Sequence, residues 1–226
     1  MTFVKVLAAL ALAAALSACG NFDVASRGAD RPVTPLVPPQ MAAMSADWNV
    51  IDVRVDVPDT LRVSEANVYY PLADIVWRED PFGDRYAQVQ KIMDDGLARG
   101  LTHLNGPRAV YFDITMSRFH SLTEKTRYSV GGVHNMIFTL TVIDAVTGAR
   151  VHGPVKLELD LKAYGGAQAF AAERRGHTQK VRILSHLTNT MRRQFPGTLQ
   201  PTAGGVQVSR AAYDPAVPVG FEAARR

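Results

Sequence analysis

Pro154-Val155-Lys156-Leu157-Glu158-Leu159-Asp160-Leu161-Lys162-Ala163 decides the fold class. Val155, Leu157, Leu159 and Leu161 alternate with Lys156, Glu158, Asp160 and Lys162. Successive side chains of an extended chain point to opposite faces, so this is a strand with one apolar and one wet face. A sheet built from such strands is covered on one side only, and the cover must come from elsewhere in the chain.

Just upstream, Asp144 to Gly148 reads as a turn, because Asp starts turns readily and Gly accepts the positive φ that closes them. Before it, Met136, Phe138, Leu140 and Val142 share one face of a strand, and before that Val110, Phe112, Ile114 and Met116 share one face of another. The first strand sets Ile51, Val53, Val55 and Val57 against Asp52, Arg54 and Asp56. Two amphipathic helices supply the cover. Asp84 can cap one whose apolar positions are Tyr86, Val89, Ile92, Met93 and Leu97, with Gly100 as its stop. Val181, Leu184, Leu187, Met191 and Phe195 mark the other, from about Ala167 to Phe195 and loosened at Gly176. The order β-α-β-β-β-α predicts an α+β two-layer sandwich: a mixed sheet of about four strands with both helices on one face. Its first two strands should be parallel through a right-handed crossover, and the later ones should form hairpins.

This domain should span Asp47 to Phe195. Residues 19–46 contain Pro32, Pro35, Pro38 and Pro39 among small and polar residues and read as a tether, and 196–226 read as a mobile tail. Residues 1–18 read as a signal peptide: Lys5, then a run of Val, Leu and Ala from Val6 to Leu16. Leu16-Ser17-Ala18-Cys19 matches the bacterial lipobox at every position. That motif implies a diacylglyceryl thioether on Cys19, cleavage before it and acylation of the new amine. Cys19 is also the single cysteine of the chain, so lipidation would leave the exported protein without a free thiol. Three acyl chains would hold it to a membrane effectively permanently. Gly20 follows instead of the Asp that retains lipoproteins in the inner membrane, which favours the outer membrane with the domain facing the periplasm.

Composition agrees with one globular domain: 226 residues, 47% hydrophobic and 20% charged, exclude disorder or collagen as a description of the whole. No stretch of the sequence approaches the ~20 apolar residues of a membrane-spanning helix. Without Lys5 the balance is 24 basic against 21 acidic residues, too mild for a nucleic-acid partner.

Catalytic motifs are absent from the sequence. Neither Gly-x-Ser-x-Gly nor a phosphate-cradling glycine loop occurs. Asp94 and Asp95 fall on the polar side of the first helix, where solvation explains them. Six histidines invite a metal reading, but no pair sits at i and i+4 on a helix; His134 and His152, across a hairpin, are the best metal guess, and surface histidines without a ligand are the better reading. No enzyme activity, cofactor or metal is expected. Two features are candidate surfaces for a partner or an anion. The loop from Phe119 to Gly132 carries Glu124, Lys125, Arg127 and Tyr128, and is long for a hairpin connection. The last helix aligns Arg175, Arg182, His186, Asn189 and Arg193 opposite Leu184 and Met191.

Ser117-Arg118-Phe119-His120, Thr123-Glu124-Lys125-Thr126-Arg127-Tyr128, Gly131-Gly132-Val133-His134 and Thr178-Gln179-Lys180-Val181-Arg182 resemble the motifs of a family of uncharacterised bacterial lipoproteins, a domain of unknown function. The resemblance covers Asp47 to Phe195 and implies no reaction and no ligand. More distantly, the element order is similar to that of a lipopolysaccharide-assembly lipoprotein and of auxiliary lipoproteins of ABC transporters, which is fold-level likeness only. The expectation is therefore a membrane-anchored accessory or binding subunit in envelope assembly or lipid transport, with an envelope protein as partner. The alternative is a periplasmic domain that binds a small ligand or anionic lipid.

Overall fold

The computed structural model describes residues 35–198. The lipobox with Cys19, the signal peptide and most of the tail lie outside the described residues. In chain order the elements are α1 (Pro39–Met44), a 3-10 turn (Ser45–Asp47), β1 (Trp48–Asp56), β2 (Ile75–Val76), α2 (Arg85–Leu101), β3 (Arg108–His120), α3 (Glu124–Arg127), β4 (Gly132–Asp144), β5 (Arg150–Ala163), α4 (Gly166–Glu173) and α5 (Gln179–Gln194). The sheet runs β1-β3-β4-β5, with the two residues of β2 pairing alongside the end of β3. β1 is parallel to β3, and β3-β4-β5 is an antiparallel meander, so the α+β sandwich stands with a fifth, short strand added. β5 keeps the alternation that defined it: Leu157 and Leu159 are buried, and Lys156, Glu158, Asp160 and Lys162 are exposed.

β1 departs from simple alternation. Trp48 and Val50 face the core, the register slips at Ile51 between the pairs Val50↔Val110 and Asp52↔Tyr111, and Val53 and Val55 face the core after it. A bulge places one extra residue against the partner strand, so the apolar phase changes parity and Ile51 is left 54% exposed. β3 uses the same device at Ser117, which returns Phe119 to the core against Trp77.

α2 and α5 lie side by side and parallel over the apolar face. Gly100 does not stop α2; it sits one turn from Gly96 on the seam with α5. A Cβ at Gly96 would stand 2.7 Å from Leu187 Cδ1, and one at Gly100 would stand 2.6 Å from both Met191 Cβ and Thr188 O. The glycines are there because the helices approach too closely for any side chain, and Thr188 Oγ1 uses the approach to donate to Gly96 O at 3.0 Å. The single helix expected from Ala167 to Phe195 is broken. Gly176 takes φ 77°, and Thr178 caps α5 by accepting from Val181 N.

The folded unit begins ahead of Asp47. Val37 and Met41 are core residues, Leu36 N donates to Gln194 Oε1 at 2.9 Å, and Gly197 N donates to Ser45 Oγ at 3.0 Å. Residues 35–46, read from sequence as tether, are therefore packed against the domain: Pro38 and Pro39 start α1, where a missing N–H costs nothing. Both limits of the described chain meet at the end of α5, beside a cluster of Trp48, Phe112 and Phe195. The opposite end of the sandwich carries the starts of α2 and α5 and the loops 57–84, 121–131 and 164–178.

Candidate functional site

Residues 57–84 contain only two residues of strand, yet the loop is fixed along its length by side chains whose partners lie far away in sequence. Thr123 Oγ1 donates to Val68 O at 2.8 Å, Thr126 Oγ1 donates to Tyr69 O at 2.8 Å, and Lys125 N donates to Asn67 Oδ1 at 2.8 Å. Three residues of the α3 turn and its cap thus hold three successive residues of the loop. Further on, His120 Nε2 meets Pro71 O at 3.1 Å while its ring stacks on Tyr70, and Arg118 donates to Tyr70 Oη at 2.8 Å.

Charge pairs finish the clamp. Arg78 joins Glu124 at 2.6 Å and Glu65, whose carboxylate also takes Arg85 at 2.6 Å. Arg127, with 12% of its side chain exposed, lies between Glu79 and Glu173 at 3.3 and 3.2 Å. Glu79 accepts in addition from Lys180 N at the start of α5, where the helix dipole favours an anion. Asp80 takes Lys180 Nζ at 2.8 Å and Trp77 Nε1 at 2.9 Å. The Arg85 hydrogen bond and the nearby cations hold Glu65 below the usual carboxylate range. Asp80 and Glu124 are also lowered: burial pushes the other way, and hydrogen bonds from Lys180 and Arg78 outweigh it.

The clamp displays apolar groups to solvent. Leu72 and Phe82 are 85% and 84% exposed, Tyr69, Tyr70 and Val130 are also exposed, and Tyr128 stacks on Phe170 at 4.6 Å. An ordered surface of this composition, fixed before any partner arrives, suits protein recognition, since little ordering entropy remains to be lost.

Beneath α3 lies a buried polar relay. Ser121 Oγ donates to Gln179 Oε1 at 3.2 Å and stands 3.2 Å from His134 Nδ1. With the serine proton committed to Gln179, Nδ1–H of His134 donates to Ser121, which makes Nε2 an acceptor. That Nε2 is buried without a hydrogen-bond partner among the described residues and lines a cavity of about 10 Å³ with Arg127, Glu173 and Arg182. Burial above all, with the neighbouring Arg182 and Arg127, lowers the His134 pKa to about 3, so the ring is neutral. A second, open cleft of about 490 Å³ runs between β1 and α2 and is lined by Asp52 from the strand and Asp94 from the helix. Burial and then the nearby Asp95 and Asp52 raise Asp94.

The residues singled out from sequence fall in different roles. Glu124 and Arg127 are consumed by the clamp, and Lys125 lays its ammonium over the Tyr69 ring at 4.6 Å. Arg175 precedes α5 rather than riding on it. Arg182 is tied down to Lys162 O at 2.5 Å and lies over Tyr164, while Arg193 sits at the other end of the helix beside Thr190. The basic stripe is therefore split between the two ends of the molecule. The proposed metal pair is separated too: His134 pairs with Leu161 and His152 with Val142, at opposite ends of the β4-β5 ladder. Among the described residues no three His, Cys, Asp or Glu side chains gather as a metal site, and no helix is long and apolar enough to cross a membrane. Sequence reasoning missed Trp77-Arg78-Glu79-Asp80, although four residues with one large ring and three charges in a loop were a signal in themselves. It also missed His134 as a core residue, readable from its place in the even, apolar phase of β4 with Met136 and Phe138.

No curated protein matches the chain. Solved structures similar to it at low identity include the following. A candidate lipoprotein from Caulobacter crescentus is 17% identical, with a TM-score of 0.25, over 48% of this chain and 83% of its own. A DUF330 protein from Xanthomonas campestris is 10% identical, with a TM-score of 0.34, over 72% and 85%. The dodecamer-forming PelC from Paraburkholderia phytofirmans is 16% identical, with a TM-score of 0.26, over 64% and 88%. These likenesses are too distant to carry an argument about function. The sequence relationship is firmer: residues 48–210 match the model of a family of unknown function, DUF6778, and the chain belongs to that family.

Proposed function

We propose that this protein is a non-enzymatic lipoprotein of the outer membrane, held there by acyl chains on Cys19, whose periplasm-facing domain serves as an accessory or binding subunit in envelope assembly or lipid transport. The observation that carries this reading is the polarity of the domain. The chain enters it next to the end of α5, where Leu36 is bonded to Gln194. The clamped loop with Tyr69, Tyr70, Leu72 and Phe82 occupies the opposite end. A chain that enters beside Gln194 joins the domain at the end away from that surface and leaves it uncovered, and confinement to a thin layer would raise its effective concentration toward other envelope proteins.

The test is photocrosslinking in intact cells from two exposed positions, Leu72 at the far end and Val146 in the β4-β5 turn at the anchored end. The reading expects a discrete envelope protein captured from position 72 and not from 146. Equal capture from both, or none from either, would overturn it. Cys19→Ala should in parallel abolish labelling by radioactive fatty acid, and persistent labelling would remove the anchor from the proposal.

A further inference from the structure

We infer that the band formed by Tyr69, Lys125, Tyr128, Phe170, Arg174 and Arg175 docks an acidic segment of a partner protein; this rests on the binding role proposed above and names the chemistry of its partner. The band is continuous. Lys125 covers the Tyr69 ring, Thr126 of the same turn bonds Tyr69 O, Tyr128 stacks on Phe170, and Arg174 N closes α4 by donating to Phe170 O at 3.1 Å.

Its charge is lopsided for a reason visible in the packing. The carboxylates beneath it, Glu65, Glu79, Asp80, Glu124 and Glu173, each have a cation of this chain: Arg85, Arg127, Lys180, Arg78 and again Arg127. No salt bridge among the described residues engages Lys125, Arg174 or Arg175. Inward, five carboxylates share four cations; outward, three cations have no carboxylate among the described residues, so the band keeps a net positive charge. Stacked tyrosine and phenylalanine rings ringed by Arg and Lys are the composition of protein interfaces, with the rings as anchors and the cations choosing a partner of opposite sign.

The probe is a fluorescent random copolymer of glutamate and tyrosine, titrated against the full chain reconstituted in phosphatidylcholine nanodiscs. Binding should weaken as salt is raised, and Lys125→Gln with Arg174→Gln and Arg175→Gln should lower affinity by about tenfold or more. Phe170→Ser should weaken it independently. Arg192→Gln with Arg193→Gln, which removes two exposed cations at the opposite end of α5, should leave it unchanged. All these positions are exposed, so a thermal melt identical to that of the parent chain separates lost docking from lost folding. Absence of binding, or equal loss in the two sets of variants, overturns the inference. So does full competition by phosphatidylglycerol vesicles through the same three cations, which would make the ligand a lipid surface. The crosslink from Leu72 is read separately: a partner captured there with no role for the three cations would leave the binding role standing and remove its acidic chemistry.

Discussion

Where the described chain begins and finishes, Trp48, Phe112 and Phe195 meet ring to ring, and two glycines let Leu187 and Met191 press into α2. At the far end the corresponding space is filled by Arg78, Arg127, Glu65, Glu79 and Glu173, bonded to one another and to backbone. Removing apolar area from water stabilises the first region without regard to salt, pH or the exact angle of a side chain. Ion pairs taken from water recover little net free energy, but they tolerate few geometries, and losing one partner strands the other. The two ends divide the labour: the end where the described chain begins and finishes supplies stability, and the far end uses polar contacts to hold a long loop in one shape.

The largest expected effect breaks the apolar seam. Gly100→Ala puts a methyl 2.6 Å from both Met191 Cβ and Thr188 O, and backbone cannot yield as a flexible side chain does. A loss of about 3 kcal/mol or more is expected. In a domain of this size that lowers Tm by roughly 10 °C. A melt within a degree or two of the parent would mean that the helices are not in the close approach described.

Next comes the polar end. Arg127→Ala would leave Glu79 and Glu173 facing each other across a partly buried gap and should cost about 2–3 kcal/mol. Arg127→Ala with Glu79→Ala should cost less than the sum of its parts, because the second change removes a stranded charge. A double-mutant cycle that proved additive in urea unfolding would sever the clamp as drawn.

Acid separates the regions with no mutation at all. The folded-state pKa of His134 is lowered to about 3, against an unfolded value near 6.5. A depressed histidine favours folding in full above the unfolded pKa and progressively less as pH falls toward the folded one, because the unfolded chain then binds the extra proton. The slope is about 1.4 kcal/mol per pH unit between those limits, or about 2 kcal/mol on going from pH 7 to 5. His120 and His186, also lowered by burial, add to it in the same direction. The urea midpoint should fall over this interval, and His134→Gln should flatten the fall; an unchanged slope in that variant would show that the ring is not the buried neutral group described.

The sequence made the repetitive parts of this molecule readable and left its cross-chain parts hidden. Strand and helix periodicity in β3, β4, β5, α2 and α5 is a local signal, and the order of those elements leaves few ways to bury their apolar faces. The bulge at Ile51 was not readable, since Val50-Ile51-Asp52-Val53 supports either phase until the register with Val110 and Tyr111 is known. Gly100 was ambiguous in principle, because a glycine that ends a helix and one that admits a neighbouring helix look the same in one dimension. Within the candidate site, the loop from Phe119 to Gly132 stood out by its length, and its charges by their type. What they do could not be read, because the partners of Arg127, Glu124 and Thr126 lie in segments 57–84 and 164–178, and only the fold brings those segments together.

The smallest effect is the most telling about the far end. Thr123 Oγ1 accepts from Thr126 N at 3.2 Å, capping the one turn of α3, and donates to Val68 O at 2.8 Å, closing the loop onto that turn. Thr123→Ala removes both bonds and buries nothing new, so the global cost should be only about 1 kcal/mol, typical of a lost cap. Local opening should respond more visibly than the melt. The backbone amides of residues 66–70 should exchange with solvent about fivefold faster, while those of Phe112 and Leu187 should keep the protection of the global transition. If the amides of the loop and of the apolar seam accelerated together, the two ends would be one cooperative unit and the division of labour would be wrong. Acceleration in the loop alone would show that its shape is held by a few polar bonds and can be tuned without touching the core.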